Sequence, residues 1–123
     1  MASSPACILI VEDHCDTRTL LSLLLRSAGY RVVEAINYSE ALSLAQETDF
    51  DLCHLDHKLS DGYGLDLREK LREFNPVAPA LFCTGTAYTP DQIEELRCNG
   101  DDYLLKPAFP EPLTNVVTNL LKK

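Results

Sequence analysis

Five short apolar runs, "CILIV" (7–11), "YRVVEAI" (30–36), "DLCHL" (51–55), "ALFCT" (80–84) and "YLL" (103–105), alternate with stretches of helical periodicity. This alternation constrains the fold more than any other feature of the chain. It predicts five strands and five helices. Strands separated by helices need right-handed crossovers, and these build a parallel sheet covered by helices on both faces. The predicted class is a doubly wound α/β sandwich, and 123 residues suffice for one such domain with a single buried core.

The helix boundaries are written in cap chemistry. The first helix is expected over 16–28, with Leu20, Leu21, Leu24 and Ala28 as its apolar face and Gly29 as its stop. Asn37 followed by Glu40 marks a second start. Asp61, Gly62 and Gly64 form a turn before a third helix over 65–74, which Asn75-Pro76 ends. Thr89-Pro90-Asp91-Gln92 combines an N-cap hydroxyl, a proline at the first helical position, a first-turn acid and a capping-box glutamine. Asn99-Gly100 closes that helix. Leu113, Val116, Val117, Leu120 and Leu121 give the last helix one packed face, with Lys122 and Lys123 at its negative end. Residues 1–5 read as a mobile tail and residues 6–123 as the domain.

Charge and cysteine usage narrow the function. Eleven basic against nineteen acidic residues give a net charge of −8, which repels nucleic-acid backbones and anionic lipid surfaces. The apolar runs fall far short of the roughly 20 residues that span a bilayer, so no membrane insertion is expected. Five widely spaced cysteines without a C-x-x-C pair read as reduced thiols, and so as a cytoplasmic chain. Cys7, Cys53 and Cys83 fall in strand-like runs, where cysteine acts as a small hydrophobe.

Ligands of doubly wound sheets bind beyond the carboxyl ends of the strands. Strand one ends in Glu12-Asp13, strand three in Asp56, strand four in Thr84 and strand five in Lys106-Pro107. Two carboxylates about 5 Å apart repel by roughly 3 kcal/mol at an effective dielectric of about 20, and here three converge. An oxygen-rich cluster of this kind suits a hard divalent cation such as Mg²⁺, bound with water and a phosphate. Lys106 and the Thr84 hydroxyl suit the remaining phosphate oxygens, and Asp56 can act as a nucleophile toward phosphorus.

The motifs "ILIVEDH" (8–14), "DLCHLDHKLSDGYGLDL" (51–67), "LFCTGTA" (81–87) and "GDDYLLKPAF" (100–109) resemble, in order and spacing, the receiver domain of two-component response regulators. The resemblance implies a flavodoxin-like (βα)5 sandwich with strand order 2-1-3-4-5. It implies that Asp56 accepts a phosphoryl group from a histidine kinase or phosphotransfer protein, with Mg²⁺, or Mn²⁺, held by Asp13, Asp56 and the Lys58 carbonyl and contacted by Glu12 through water. Thr84 and Lys106 would hold the phosphoryl group. Tyr103 would swing inward as Thr84 moves, Lys58 and Thr86 would tune the lifetime of the acyl phosphate, and a cis bond would precede Pro107. Output would pass through the fourth helix, fifth strand and fifth helix, about 89–122, to a downstream protein, a missing output domain or a second copy of the chain. Such a domain is a switch that catalyses its own phosphotransfer, not an enzyme of substrate turnover. Ser60, where a proline is common, and Asn99-Gly100 depart from the pattern outside the phosphorylation chemistry.

Two rivals share the acidic pocket. An aspartyl phosphohydrolase generally carries a second acid two residues after the nucleophile, where this chain has Lys58. A phosphorylation-independent interaction module would have no need of the full set of polar strand ends. A flavin site would need a phosphate-cradling loop after strand one, where "EDH" is anionic. Among the histidines, His14 and His57, with Cys15, are expected on the rim facing water rather than in a transition-metal site. His54 alternates with Cys53 and Leu55, and is expected to be a neutral core histidine with a satisfied hydrogen bond, a pH-sensitive element being the alternative.

Overall fold

The computed structural model describes residues 5–106 and 110–122. Its elements run β1 (Cys7–Val11), α1 (Cys15–Ser27), β2 (Arg31–Ala35), α2 (Tyr38–Glu47), β3 (Leu52–Leu55), β4 (Lys58–Leu59), β5 (Gly62–Tyr63), α3 (Gly64–Phe74), β6 (Ala80–Thr84), α4 (Pro90–Cys98), β7 (Asp102–Leu105) and α5 (Pro110–Leu121). The main sheet has the order β2-β1-β3-β6-β7, every pairing parallel. Counting only its five strands, this is the expected order 2-1-3-4-5. The expected cis bond at Pro107, most of the expected tail and the Lys123 charge lie outside the described residues.

The sheet separates two cores. On one face Leu9, Val11, Cys53, Leu55, Phe82 and Tyr88 join residues of α2, α3 and α4. On the other, Ile8, Ile10, Leu52 and Leu81 meet Leu21 and Leu25 of α1 and Leu113, Val117 and Leu120 of α5. Continuous apolar runs in the inner strands follow from being covered on both sides. Cys7, Cys53 and Cys83 are buried as expected, and burial pushes the Cys53 thiol to about 12 and the Cys83 thiol to about 11, which keeps them protonated and inert.

The caps are as the sequence indicates for α2 and α4. Asn37 Oδ1 accepts from Glu40 N at 2.8 Å while Glu40 accepts from Ile36 N. The Thr89–Gln92 capping box is complete in both directions. The face of α1 differs from expectation: Leu21, Ser22 and Leu25 are buried, while Leu20 is 52% exposed and Ala28 is exposed. The run "LLSLLL" offers more than one helical phase, and the phase that docks Leu21 and Leu25 against Ile8 and Ile10 turns Leu20 outward.

Two features were not foreseen. The turn after β3 contains a small antiparallel hairpin, β4 with β5, whose Asp61 caps the start of α2 by accepting from Tyr38 N and Ser39 N. Buried Asp101 also takes a two-pronged bond from buried Arg68, a longer one from Arg72 and the amide of Ala80, which ties α3 to the edges of β6 and β7.

Candidate functional site

The four strand ends expected to carry chemistry converge at the carboxyl edge of the sheet. Glu12, just past β1, is buried, Asp13 beside it is exposed, and Asp56, just past β3, is half-buried. Each can offer a carboxylate oxygen within 4.8 Å of the others, and this is the one such cluster among the described residues. Lys106, after β7, reaches back across the sheet to Glu12 Oε1 at 2.6 Å and Asp56 Oδ2 at 3.1 Å.

Burial pushes the Glu12 carboxyl above its ordinary range, a shift that its bond from Lys106 opposes. Burial also disfavours the Lys106 ammonium, but its bonds to Glu12 and Asp56 outweigh that and raise it. The lysine therefore holds its proton firmly. Three carboxylates against one ammonium leave two negative charges in the cluster. That residue, carried by oxygen donors, fits one hard divalent cation.

A close backbone approach fixes the acceptor edge. Gly64 N donates to His57 O at 2.8 Å, and a Cβ at Gly64 would collide with the Asp56 carbonyl oxygen. Only glycine lets the start of α3 pack against the strand end that carries Asp56. The second Asp56 oxygen, Oδ1, accepts from His57 N at 2.7 Å. Thr84 is buried at the end of β6, and its Oγ1 accepts from Thr86 N at 3.1 Å. Its O–H proton has no acceptor among the described residues, so a hydroxyl donor is available beside the cluster. Lys58 lies exposed in β4, and Thr86 is exposed in the loop after β6.

Tyr103 of β7 is half-buried against the core. Its hydroxyl donates to Thr86 O at 3.0 Å and accepts from Tyr88 N at 3.3 Å, and its ring stacks on Tyr88 at 4.8 Å. Thus Tyr103 is joined to the loop that Thr84 begins.

The histidines depart from expectation in two cases. His14 is exposed, as expected, and its Nδ1 caps α1 by accepting from Thr17 N at 3.3 Å. His57 is not a water-facing rim residue: it is half-buried, and its Nδ1 shares a 2.8 Å hydrogen bond with the Tyr88 hydroxyl. Tyr88 is an aromatic on which the sequence reading placed no weight, because its partner lies 31 residues away. His54 is buried between Ile10 and Leu81 in the sheet, and neither ring nitrogen has a hydrogen-bond partner among the described residues. Burial, with the Lys106 charge adding to it, drives its imidazole from 6.5 to about 4, so it is neutral as expected but unsatisfied.

Comparisons with known proteins agree with this geometry. A model of the response regulator receiver domain matches residues 8–118. The aerobic respiration control protein ArcA of Escherichia coli K12 is 39% identical over 116 residues, covering 94% of this chain and 48% of that protein. A CheY-like response regulator receiver domain protein from Methanospirillum hungatei superposes with a TM-score of 0.87 at 29% identity, covering 97% of this chain and 95% of the other. A Burkholderia pseudomallei response regulator, solved with a phosphorylated aspartic acid, a calcium ion and citrate, superposes at 0.81 with 30% identity, covering 95% of this chain and 69% of the other. The chain spans from about a quarter to about half of the length of the curated relatives it matches.

Proposed function

The chain belongs to the response-regulator receiver domain family, and on that premise we propose that it is a phosphoacceptor switch whose acceptor is Asp56. The observation that carries this reading is the joint placement of Glu12, Asp13 and Asp56 within ligand distance of one another, with Lys106 bonded to two of them.

In the transfer step an Asp56 carboxylate oxygen attacks phosphorus. The new O–P bond forms as the bond from phosphorus to the donor's imidazole nitrogen breaks, and the electron pair leaves with the donor. Asp13 and Asp56, with the Lys58 carbonyl and Glu12 through water, would hold Mg²⁺ or Mn²⁺. That ion, when bound, supplies the charge neutralisation that lets an anionic phosphoryl group approach. Lys106 moves one N–H from Asp56 to a phosphoryl oxygen, and Thr84 gives its O–H to another. Lys58 and Thr86 flank the pocket and set the access of hydrolytic water, and thereby the lifetime of the acyl phosphate.

Drawing Thr84 toward the phosphoryl group changes the space beside Tyr103, and Tyr103 presents that change on the face of α4, β7 and α5. A pre-existing two-state equilibrium is shifted rather than a new fold made. The donor is a sensor histidine kinase or a histidine phosphotransfer protein in the cytoplasm. The recipient of the signal is a downstream protein, an output domain of a longer chain or a second copy.

Intact mass after incubation with Mg²⁺ and acetyl phosphate, beside the Asp56→Asn variant, tests the reading. One phosphoryl adduct is expected, absent from the variant and absent with chelator. A wild-type chain left unmodified by both acetyl phosphate and a phosphorylated histidine donor would refute it.

A further inference from the structure

Beyond the Thr84–Tyr103 pair, a second chain of contacts leads from the acceptor to the same tyrosine. His57 is held at both ends: its backbone N–H donates to Asp56 Oδ1 at 2.7 Å, and its Nδ1 is bonded to the Tyr88 hydroxyl at 2.8 Å. Its ring also lies edge-on to Tyr88, with centroids 5.4 Å apart and planes at 71°. Tyr88 in turn stacks on Tyr103 at 4.8 Å and 19°, and its backbone N–H donates to the Tyr103 hydroxyl. From Asp56 to Tyr103 no link is missing.

We propose that Tyr88, clasped by His57, is a positioning residue that couples the charge state of Asp56 to the placement of Tyr103. The proposal rests on Asp56 being the phosphoacceptor. An Asp56 carboxylate holds the His57 amide by a charge-assisted bond, and such bonds are roughly twice as strong as neutral ones. Phosphorylation of one carboxylate oxygen leaves a neutral carbonyl in place of part of that charge, so the tether on the His57 backbone loosens. The His57 ring carries the displacement to Tyr88, because the 2.8 Å bond to its hydroxyl is short and the Tyr88 ring is buried.

Three observations make Tyr88 fit to transmit rather than absorb this movement. It is only 9% exposed, so its ring cannot swing into water. Burial pushes its hydroxyl up to about 12, so the hydroxyl keeps its proton. It also lines a cavity of about 280 Å³ between α3 and α4, shared with Leu65, Gln92 and Leu96, which gives its ring room to shift. Ring stacking makes Tyr88 and Tyr103 move together.

The test uses the whole chain with ring-labelled tyrosine, Tyr103 being assigned through Tyr103→Phe. Tyr103 ring resonances are followed by NMR as Mg²⁺ and beryllium trifluoride, a phosphoryl analogue, are added. Wild type is compared with Tyr88→Phe, which keeps the ring and removes the hydroxyl, and with His57→Leu and His57→Gln. All are expected to bind the analogue, while the Tyr103 shift is clearly reduced in Tyr88→Phe and His57→Leu, the Thr84 route remaining, and recovered in His57→Gln, whose amide can again meet the Tyr88 hydroxyl. A merely structural role would lower the melting temperature without separating analogue binding from the Tyr103 response. Analogue binding with an unaltered Tyr103 response in both Tyr88→Phe and His57→Leu overturns the coupling alone. Failure of the wild type to bind the analogue overturns the acceptor reading, and the coupling with it.

Discussion

His54→Leu is expected to stabilise the protein, and by an amount that depends on pH. His54 is 1% exposed, sits between Ile10 and Leu81, and has no partner for either ring nitrogen among the described residues. An unsatisfied buried polar group costs about 1–3 kcal/mol, which leucine of similar reach removes. The pH dependence follows from the depression of its imidazole from 6.5 to about 4. The folded state favours neutral His54, so its contribution is intact above about 6.5 and is lost as pH falls toward 4. At pH 5.5 one proton linkage of this size amounts to about 1 kcal/mol, and below pH 4 to about 3 kcal/mol. Urea unfolding at pH 7.0, 5.5 and 4.5 should therefore show the advantage of the variant over wild type widening by about 1 kcal/mol between the first two values. A constant difference at all three, or an NMR titration placing His54 near 6.5, would refute the argument from burial.

Other residues make separate predictions. Gly64→Ala should lower stability by more than about 2 kcal/mol, because the new methyl meets the Asp56 carbonyl, which is backbone and cannot yield cheaply; thermal unfolding checks this, and an unchanged melting temperature would contradict the close approach. Asp101→Ala should cost about 3–5 kcal/mol by leaving Arg68 buried without its partner, measured as a shift in the denaturant midpoint at constant slope. Glu12→Gln should be stabilising at neutral pH while weakening Mg²⁺ affinity. A carboxyl raised by burial contributes most below its unfolded value and loses that contribution as pH rises through the folded one, and a neutral amide in its place has no charged form for burial to disfavour. Calorimetric Mg²⁺ titration alongside thermal unfolding measures both effects, and a destabilised variant would contradict the sign.

The sequence made the strands, their parallel doubly wound class and the convergence of Glu12, Asp13, Asp56, Thr84 and Lys106 legible, because local periodicity sets the elements and the crossover rules place their ends together. Capping at Asn37 and Thr89 was legible for the same reason, since each motif lies within four residues. What was not legible depends on partners distant in the chain. Asp101 meets Arg68 33 residues away, and His57 meets Tyr88 31 residues away, with no periodic signal to announce either. The face of α1 failed for a different reason: a leucine-rich run satisfies several helical phases, and only packing against Ile8 and Ile10 selects one. The β4–β5 hairpin is two residues per strand, too short for alternation to register.

The bond between Lys106 and Glu12 spans 94 positions of the chain, from the end of the first strand to the end of the last. Such a contact forms late, because its loop-closure entropy is met only after the intervening units have docked. A chain emerging from the ribosome therefore presents Glu12, Asp13 and Asp56 long before it presents the cation that balances them. Until β7 takes its place beside β6, the nascent protein carries an acidic edge without its lysine. With Asp56 as the proposed acceptor, competence for phosphoryl transfer arrives at once, with the docking of β7.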